Sequence, residues 1–217
     1  MSNPDSFIEE VAEEVRRDRM SRLMRKYGWI GVLAVVLIVG GAAFNEYRKA
    51  QEIAAAQAFG DAVYDALEGS SEQTRLLALQ EVNAPEVGAP LLGLITAAES
   101  TGDPAEAAEI LQSVITDPET PPIYQDLARL RLVLLGDAAL PATERRALLD
   151  MLILGSGPFR LLALEQRALL EVEAGETEAA IATLQEVIRA AGASLAQQQR
   201  AAQLVVALGG DVALDAS

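Results

Sequence analysis

Between Lys26 and Glu46 the chain carries no charged residue. The run Tyr27 to Phe44, YGWIGVLAVVLIVGGAAF, is 18 residues long. As a helix rising about 1.5 Å per residue it spans roughly 27 Å, close to the hydrocarbon thickness of a bilayer. It is apolar on every face, whereas a helix on the surface of a water-soluble domain keeps a polar stripe. Tyr27 and Trp29 stand at one end, and Phe44 and Tyr47 at the other, where an interfacial aromatic belt places such rings. The sequence therefore predicts a transmembrane helix over residues 27–45.

The flanks set its direction. Residues 16–26, RRDRMSRLMRK, hold six basic groups against the single Asp18, while the nearest basic groups beyond the span are Arg48 and Lys49. The positive-inside rule keeps residues 1–26 in the cytoplasm and exports residues 45–217. This is the topology of a single-pass protein of a bacterial inner (plasma) membrane, with its C-terminal domain periplasmic. Small residues at Gly41 and Ala43 would suit a cleavage site. However, the leading segment is acidic in its first half, and the apolar run exceeds the 7–15 residues usual in a cleaved signal. The next stretch, NEYRKAQEIAAAQAFGDAVYDALE, continues as helix without a break. An uncleaved anchor is expected. In the cytoplasmic stub, Ser6-x-x-Glu9 reads as a capping box and Phe7, Val11 and Val15 fall on one helical face. Its basic end suits anionic lipid headgroups rather than nucleic acid.

Composition narrows the chemistry of the exported part. There is no cysteine and no histidine, which removes disulfides, thiolate nucleophiles, imidazole acid–base chemistry and the usual zinc ligands. Residues 50–217 carry nine basic and 25 acidic groups, a net of −16. That balance argues against a nucleic-acid binder, whose affinity comes from neutralising phosphates.

No long alternation of apolar and polar residues is present, and Ala and Leu dominate, so the exported part reads as all-α. Gly and Pro divide it into helices. The first ends at Glu68–Gly69, with Ile53, Gly60, Val63, Tyr64 and Leu67 near one face. The others are Glu72 to Val82, Pro90 to Gly102, Asp103 to Thr116, Pro121 to Gly136, Pro141 to Leu154, Pro158 to Gly175, from there to Gly192, and Ser194 to Leu208.

GDPAEAAEILQSVI from Gly102 and GETEAAIATLQEVI from Gly175 match without gaps at Gly, Ala, Leu, Gln, Val and Ile. Gly136 lies between them, at spacings of 34 and 39 residues. A unit of about 34 residues with a turn Gly and a small residue five positions later is the tetratricopeptide pattern. Gly102 and Gly175 are expected to take left-handed caps. Ala107 and Ala180 allow close helix approach, and Leu111, Val114, Leu184 and Val187 point into the core. The aromatic consensus positions hold Leu or Ala, and the middle unit carries an insertion around Ala138–Pro141. The expected architecture is an all-α chain in which one transmembrane helix precedes a tetratricopeptide-like α-solenoid. Its segments are 1–26 cytoplasmic, 27–45 transmembrane, 46–84 juxtamembrane helices, 85–210 repeats and 211–217 tail.

This layout resembles the YfgM-like family, the bacterial ancillary subunit of the SecYEG translocon. The resemblance covers nearly the whole chain. Its more specific residues are Leu127-Ala128-Arg129-Leu130-Arg131-Leu132 and the Leu164 to Gly175 helix leading into GETEAAIATLQ. The Ala/Arg-rich composition and the GSGPF turn depart from it. The resemblance implies the SecYEG channel and membrane-anchored periplasmic chaperones of the peptidyl-prolyl isomerase type as partners.

No residue set has the spacing of a catalytic constellation, and neither an enzyme activity nor a cofactor, metal or small-molecule substrate is expected. Glu171, Glu173, Glu176 and Glu178 surround Gly175 but lack the Asp-x-Asp-x-Asp-Gly spacing of a calcium loop. Gly155-Ser156-Gly157 is followed by no Lys and preceded by no strand, so it reads as an interhelical turn and not a phosphate loop. Ser156 as a nucleophile would need Lys26 or Lys49, both beside the membrane. Arg129, Arg131, Arg160 and Arg167 are expected to pair with carboxylates between repeats, or else to offer a fork to a partner's carboxylate. The expected function is a membrane-anchored protein-interaction scaffold. The alternative is a structural or assembly factor tethered to a respiratory or cell-envelope complex.

Overall fold

The computed structural model describes the backbone of residues 4–211, and of the side chains those of 24–26, 29–31 and 33–211. The proposed Phe7–Val11–Val15 face, the Tyr27 ring and the tail beyond Asp211 lie outside the described residues. The chain divides into two compact units, Met1–Gln57 and Ala58–Ser217.

The first unit is helix. α1 (Pro4–Leu67) is helical from Pro4 onward, so Ser6 lies inside it and is not its N-cap. Among the described residues one helix is long and apolar enough to cross a membrane, the part of α1 from Trp29. Trp29, Leu33, Val35, Leu37, Ile38 and Phe44 are all exposed. Beyond the apolar run, side chains one turn apart pair along the helix. Gln51 Nε2 donates to Tyr47 Oη at 2.7 Å, and Arg48 pairs with Glu52 one turn on.

In the second unit the end of α1 packs against α2 (Glu72–Glu81) and α3 (Ala89–Glu99). The buried face is Val63 and Ala66, with Phe59 and Leu67 partly covered beside Leu79. This corrects the expected face: Ile53 and Tyr64 are 58% and 67% exposed. The core begins only at Phe59, and Tyr64 is a quarter-turn from Val63, enough to leave the narrow contact stripe. A short 3-10 turn, Glu86–Gly88, leads into α3.

Three helix pairs follow: α3 with α4 (Pro104–Thr116), α5 (Pro122–Leu134) with α6 (Ala142–Leu154), and α7 (Arg160–Glu173) with α8 (Thr177–Arg189). A last helix, α9 (Leu195–Ala207), covers α8. Each helix packs on the next, and α3 also touches α5, the neighbour contact by which repeats stack. Asp103 caps α4, its Oδ1 accepting from the N–H groups of Ala105 (3.0 Å) and Glu106 (3.1 Å). Ser194 and Gln197 form a reciprocal capping box at α9.

The turn glycines divide into two kinds. Gly136, Gly175 and Gly209 have φ of +73°, +75° and +81°. At Gly175 the N–H donates to Val172 O (3.0 Å) and that of Glu176 to Glu171 O (2.8 Å), a Schellman closure. Gly209 and Gly210 repeat it on Val206 O and Val205 O. Gly102, expected to be left-handed, is not. Its N–H is satisfied from outside the pair, by Glu72 Oε1 at 2.8 Å, so this turn needs no αL residue.

Small residues set the helix spacing. Ala107, Ala128, Ala163, Ala180 and Ala201 are all 0% exposed. A Cβ on Gly93 of α3 would stand 2.8 Å from Val114 Cγ2 of α4. Three clusters result, around Leu94, Leu111 and Leu132; around Leu130, Leu149 and Leu152; and around Leu164, Leu184 and Val205. Leu148 and Ile153 of α6 lie against two clusters each and join them. Between α5 and α6 the chain makes a 3-10 turn, Gly136–Ala138, followed by Leu140, which is buried in the first cluster.

Candidate interaction surface

All nine basic residues after Lys49 are arginines, and seven of them are ion-paired. Arg75 reaches Glu99 at 2.6 Å and Arg129 reaches Asp126 at 2.8 Å. Arg160 pairs with Glu186, Arg167 with Asp150, and Arg200 with Glu165. Of the arginines expected to pair between repeats, Arg167 does so, from α7 to α6; the Arg160 pair stays within the α7–α8 pair and the Arg129 pair within α5, while Arg200 of α9 reaches α7. Arg131, expected among them, makes none of these pairs, and neither does Arg189.

The carboxylates around Gly175 are bound up with arginines. Glu171 is buried, accepts from Thr183 Oγ1 at 2.8 Å and lies 3.1 Å from Arg167 Nε. That approach is out of line for a hydrogen bond, and Arg167 Nε remains without an acceptor. Glu173 and Asp137 share Arg145, and Glu176 holds Arg146 at 2.6 Å. The Glu176 hydrogen bond holds the Arg146 guanidinium above its ordinary pKa. Glu178 is exposed. Together Arg145, Arg146, Asp137, Glu173 and Glu176 line a cleft of about 310 Å³ in which the charges pair with one another, while the buried Arg145 Nε has no acceptor. The sequence reading missed Arg145, whose side chain is 8% exposed. The available signal was the Arg145-Arg146 pair, with Arg145 standing 28 residues before Glu173 and Arg146 30 before Glu176.

Gly155-Ser156-Gly157 is the turn between α6 and α7, with Ser156 exposed. A Cβ on Gly157 would lie 2.9 Å from Asp126 Oδ2, so a side chain there would have to displace the Asp126 carboxylate of α5. Glu72 is the other polar tie. It accepts from Thr101 Oγ1 (2.6 Å) and from the Gly102 N–H, and these bonds, the Thr101 hydroxyl first, hold its carboxyl below the ordinary range.

Two surface properties remain for binding. Residues 50–128 carry 14 acidic groups and the single base Arg75, whereas residues 129–217 carry eight bases and 11 acids. Exposed large apolar side chains favour the first helices of the pairs, with Leu91 on α3, Ile123 and Leu134 on α5, and Leu162, Leu169 and Val172 on α7. On the second helices they are Met151 and Leu154 of α6. A second cleft, of about 290 Å³, opens between the end of α3, the start of α4 and the last turn of α5.

No curated protein and no solved structure matches the chain. The family model of the tetratricopeptide repeat-like domain matches residues 24–142, from the basic end of the stub through the first two first-helices to the start of α6. The match covers more than half of the 217 residues, and the helix pairs, left-handed turns and buried alanines found above extend the same pattern to α9. The chain belongs to the tetratricopeptide repeat-like domain family.

Proposed function

We propose that this protein is a membrane-anchored, periplasmic protein-interaction scaffold, accessory to the SecYEG translocon and to membrane-anchored periplasmic chaperones in the handling of exported proteins. The observation that carries the reading is the succession, in one chain, of an uncharged apolar helix and a stack of repeats built to bind other proteins. The basic asymmetry of the flanks supports a cytoplasmic N-terminus. The resemblance to the YfgM-like family supports the translocon and the chaperones as partners. Stacked helix pairs offer surface and no reacting group, so the work is holding polypeptides rather than transforming them.

Crosslinking in intact cells followed by purification of the full chain tests this. Recovery of the channel subunits is expected. Recovery instead of one fixed respiratory or envelope complex would favour an assembly factor. A phosphatase reporter fused after Ser217 should be active, since it would fold in the periplasm. A fusion active only as a cytoplasmic reporter would overturn the topology and the partners together.

A further inference from the structure

We propose that the cleft between the first two helix pairs seats an apolar side chain of a partner protein whose adjacent residue is a single aspartate or glutamate, and that Arg131 takes that carboxylate. The proposal rests on the scaffold reading and specifies the segment the scaffold recognises. At about 290 Å³ the cleft lies at the small end of ligand pockets, roughly 300–1,000 Å³, and fits one side chain rather than a cofactor. Its apolar lining is Ala97, Leu111, Leu134, Leu135 and Pro104, beside the hydroxyl residues Ser100 and Thr101, and Arg131 is the one ionisable side chain among its lining residues. Leu134 is 58% exposed and stands three residues after Arg131, so the two share a helical face.

Arg131 differs from its neighbours in having spent none of its donors on a carboxylate among the described residues. In the other cleft Arg145 and Arg146 already hold Asp137, Glu173 and Glu176. Near Arg131 no such carboxylate lines the cleft. A planar fork beside an apolar floor is complementary to a carboxylate beside an apolar side chain. The surrounding charge narrows the match further. With 14 acids against one base in residues 50–128, a polyacidic segment is repelled. The partner segment therefore carries one acid next to its apolar residue and is otherwise neutral or basic.

The test is panning of a random dodecapeptide display library on the full chain in phosphatidylcholine nanodiscs, with empty nanodiscs as counter-selection. Wild type should enrich Leu, Ile, Val or Phe next to one Asp or Glu. The best synthetic peptide should lose about tenfold or more in affinity on R131E and on L134S. R131E should instead enrich apolar–Lys or apolar–Arg pairs, a reversal that unfolding cannot produce. R131Q should bind both peptide classes weakly, with unchanged circular dichroism. Enrichment without an acid, or peptides that bind wild type and R131E alike, would overturn the cleft assignment. If crosslinking still recovers the channel subunits in that case, the scaffold reading stands and the cleft alone falls.

Discussion

Leu184→Ala tests whether the stack behaves as a chain of nearest neighbours. Leu184 is 1% exposed in α8 and packs in one cluster with Leu164, Ala168, Val187, Ala201 and Val205. Buried Leu→Ala changes cost about 2–5 kcal/mol, more where the walls cannot collapse. Here Val187, Ala201 and Val205 are 0% exposed and belong to two different helices, so collapse is limited and about 3–5 kcal/mol is expected. At about 1.4 kcal/mol per factor of ten, that is roughly a hundred- to a few-thousandfold in the local opening equilibrium. The cluster contains no residue of α3, α4 or α5, and in a repeat stack the loss stays with the unit and its neighbours. Hydrogen exchange of the full chain in nanodiscs, read by mass spectrometry, should show that acceleration in α8 and α9 while α3 and α4 change less than about threefold. Equal acceleration from α3 to α9 would refute the nearest-neighbour argument. Less than tenfold in α8 would refute the packing argument.

Ala180→Arg should lower the thermal midpoint by roughly 6–12 °C, because a site 0% exposed must admit a long charged side chain, at about 3 kcal/mol and 2–4 °C per kcal/mol; an unchanged melt would mean that α7 and α8 are not in close register. Gly175→Ala, at φ +75° and with open space for the added methyl, should cost about 1 kcal/mol in denaturant titration; an unchanged titration would contradict the left-handed closure of α7. The Glu72 carboxyl is held below its ordinary value of 4.5 in the folded chain, so its contribution is fully present above that value and is lost as pH falls through the lowered one. The stability difference between wild type and E72Q should therefore shrink as pH drops below 4.5, and a difference that grows on acidification would reverse the sign of the argument.

Helix ends were the most legible part of the sequence, because their chemistry is local. Asp103-Pro104 starts α4, and Gly175 closes α7 with the φ its position demanded. Small residues at Ala107 and Ala180 identified the close contacts for the same reason. The failures share the opposite cause. Gly102 sits in a repeat position like that of Gly175, but a side chain 30 residues away, Glu72, satisfies its N–H. The Val63 face was misplaced because α2 and α3 decide where burial of α1 begins. Arg145 was missed since its partners, Asp137 and Glu173, come from a neighbouring turn and from the next pair. Of the weighed site residues, the structure brings Glu171, Glu173 and Glu176 together with arginines that sequence spacing alone did not connect to them. For Arg131 sequence spacing favours a carboxylate between repeats, with a partner's carboxylate as the alternative; the ion pair is absent, and the cleft beside it needs α3, α4 and α5 to be assembled.

The exposed ion pairs do not hold this stack together, unlike those of Arg145 and Arg167, which are 8% and 20% exposed and tie α6 to α7. Exposed pairs contribute about 0–1 kcal/mol each, and Arg146, Arg160 and Arg200 are 38%, 39% and 52% exposed. The buried alanines, leucines and valines do that work, and the arginines instead decide where charge is left over. Residues 129–217 nearly balance, eight bases against 11 acids, whereas residues 50–128 leave 14 acids facing one base. A surplus spread over several helices acts at a distance. It attracts basic segments before contact, and screening removes it beyond roughly 8 Å at physiological ionic strength. Single substitutions such as Glu106→Gln or Glu109→Gln should therefore each change the affinity for a basic partner less than about twofold, while raising salt from 50 to 500 mM should weaken binding severalfold through the summed field. Surface plasmon resonance of the nanodisc-embedded chain against oligolysine reads both. A salt-insensitive affinity, or one acidic residue whose loss alone abolishes binding, would mean that a discrete site and not the field recruits basic partners.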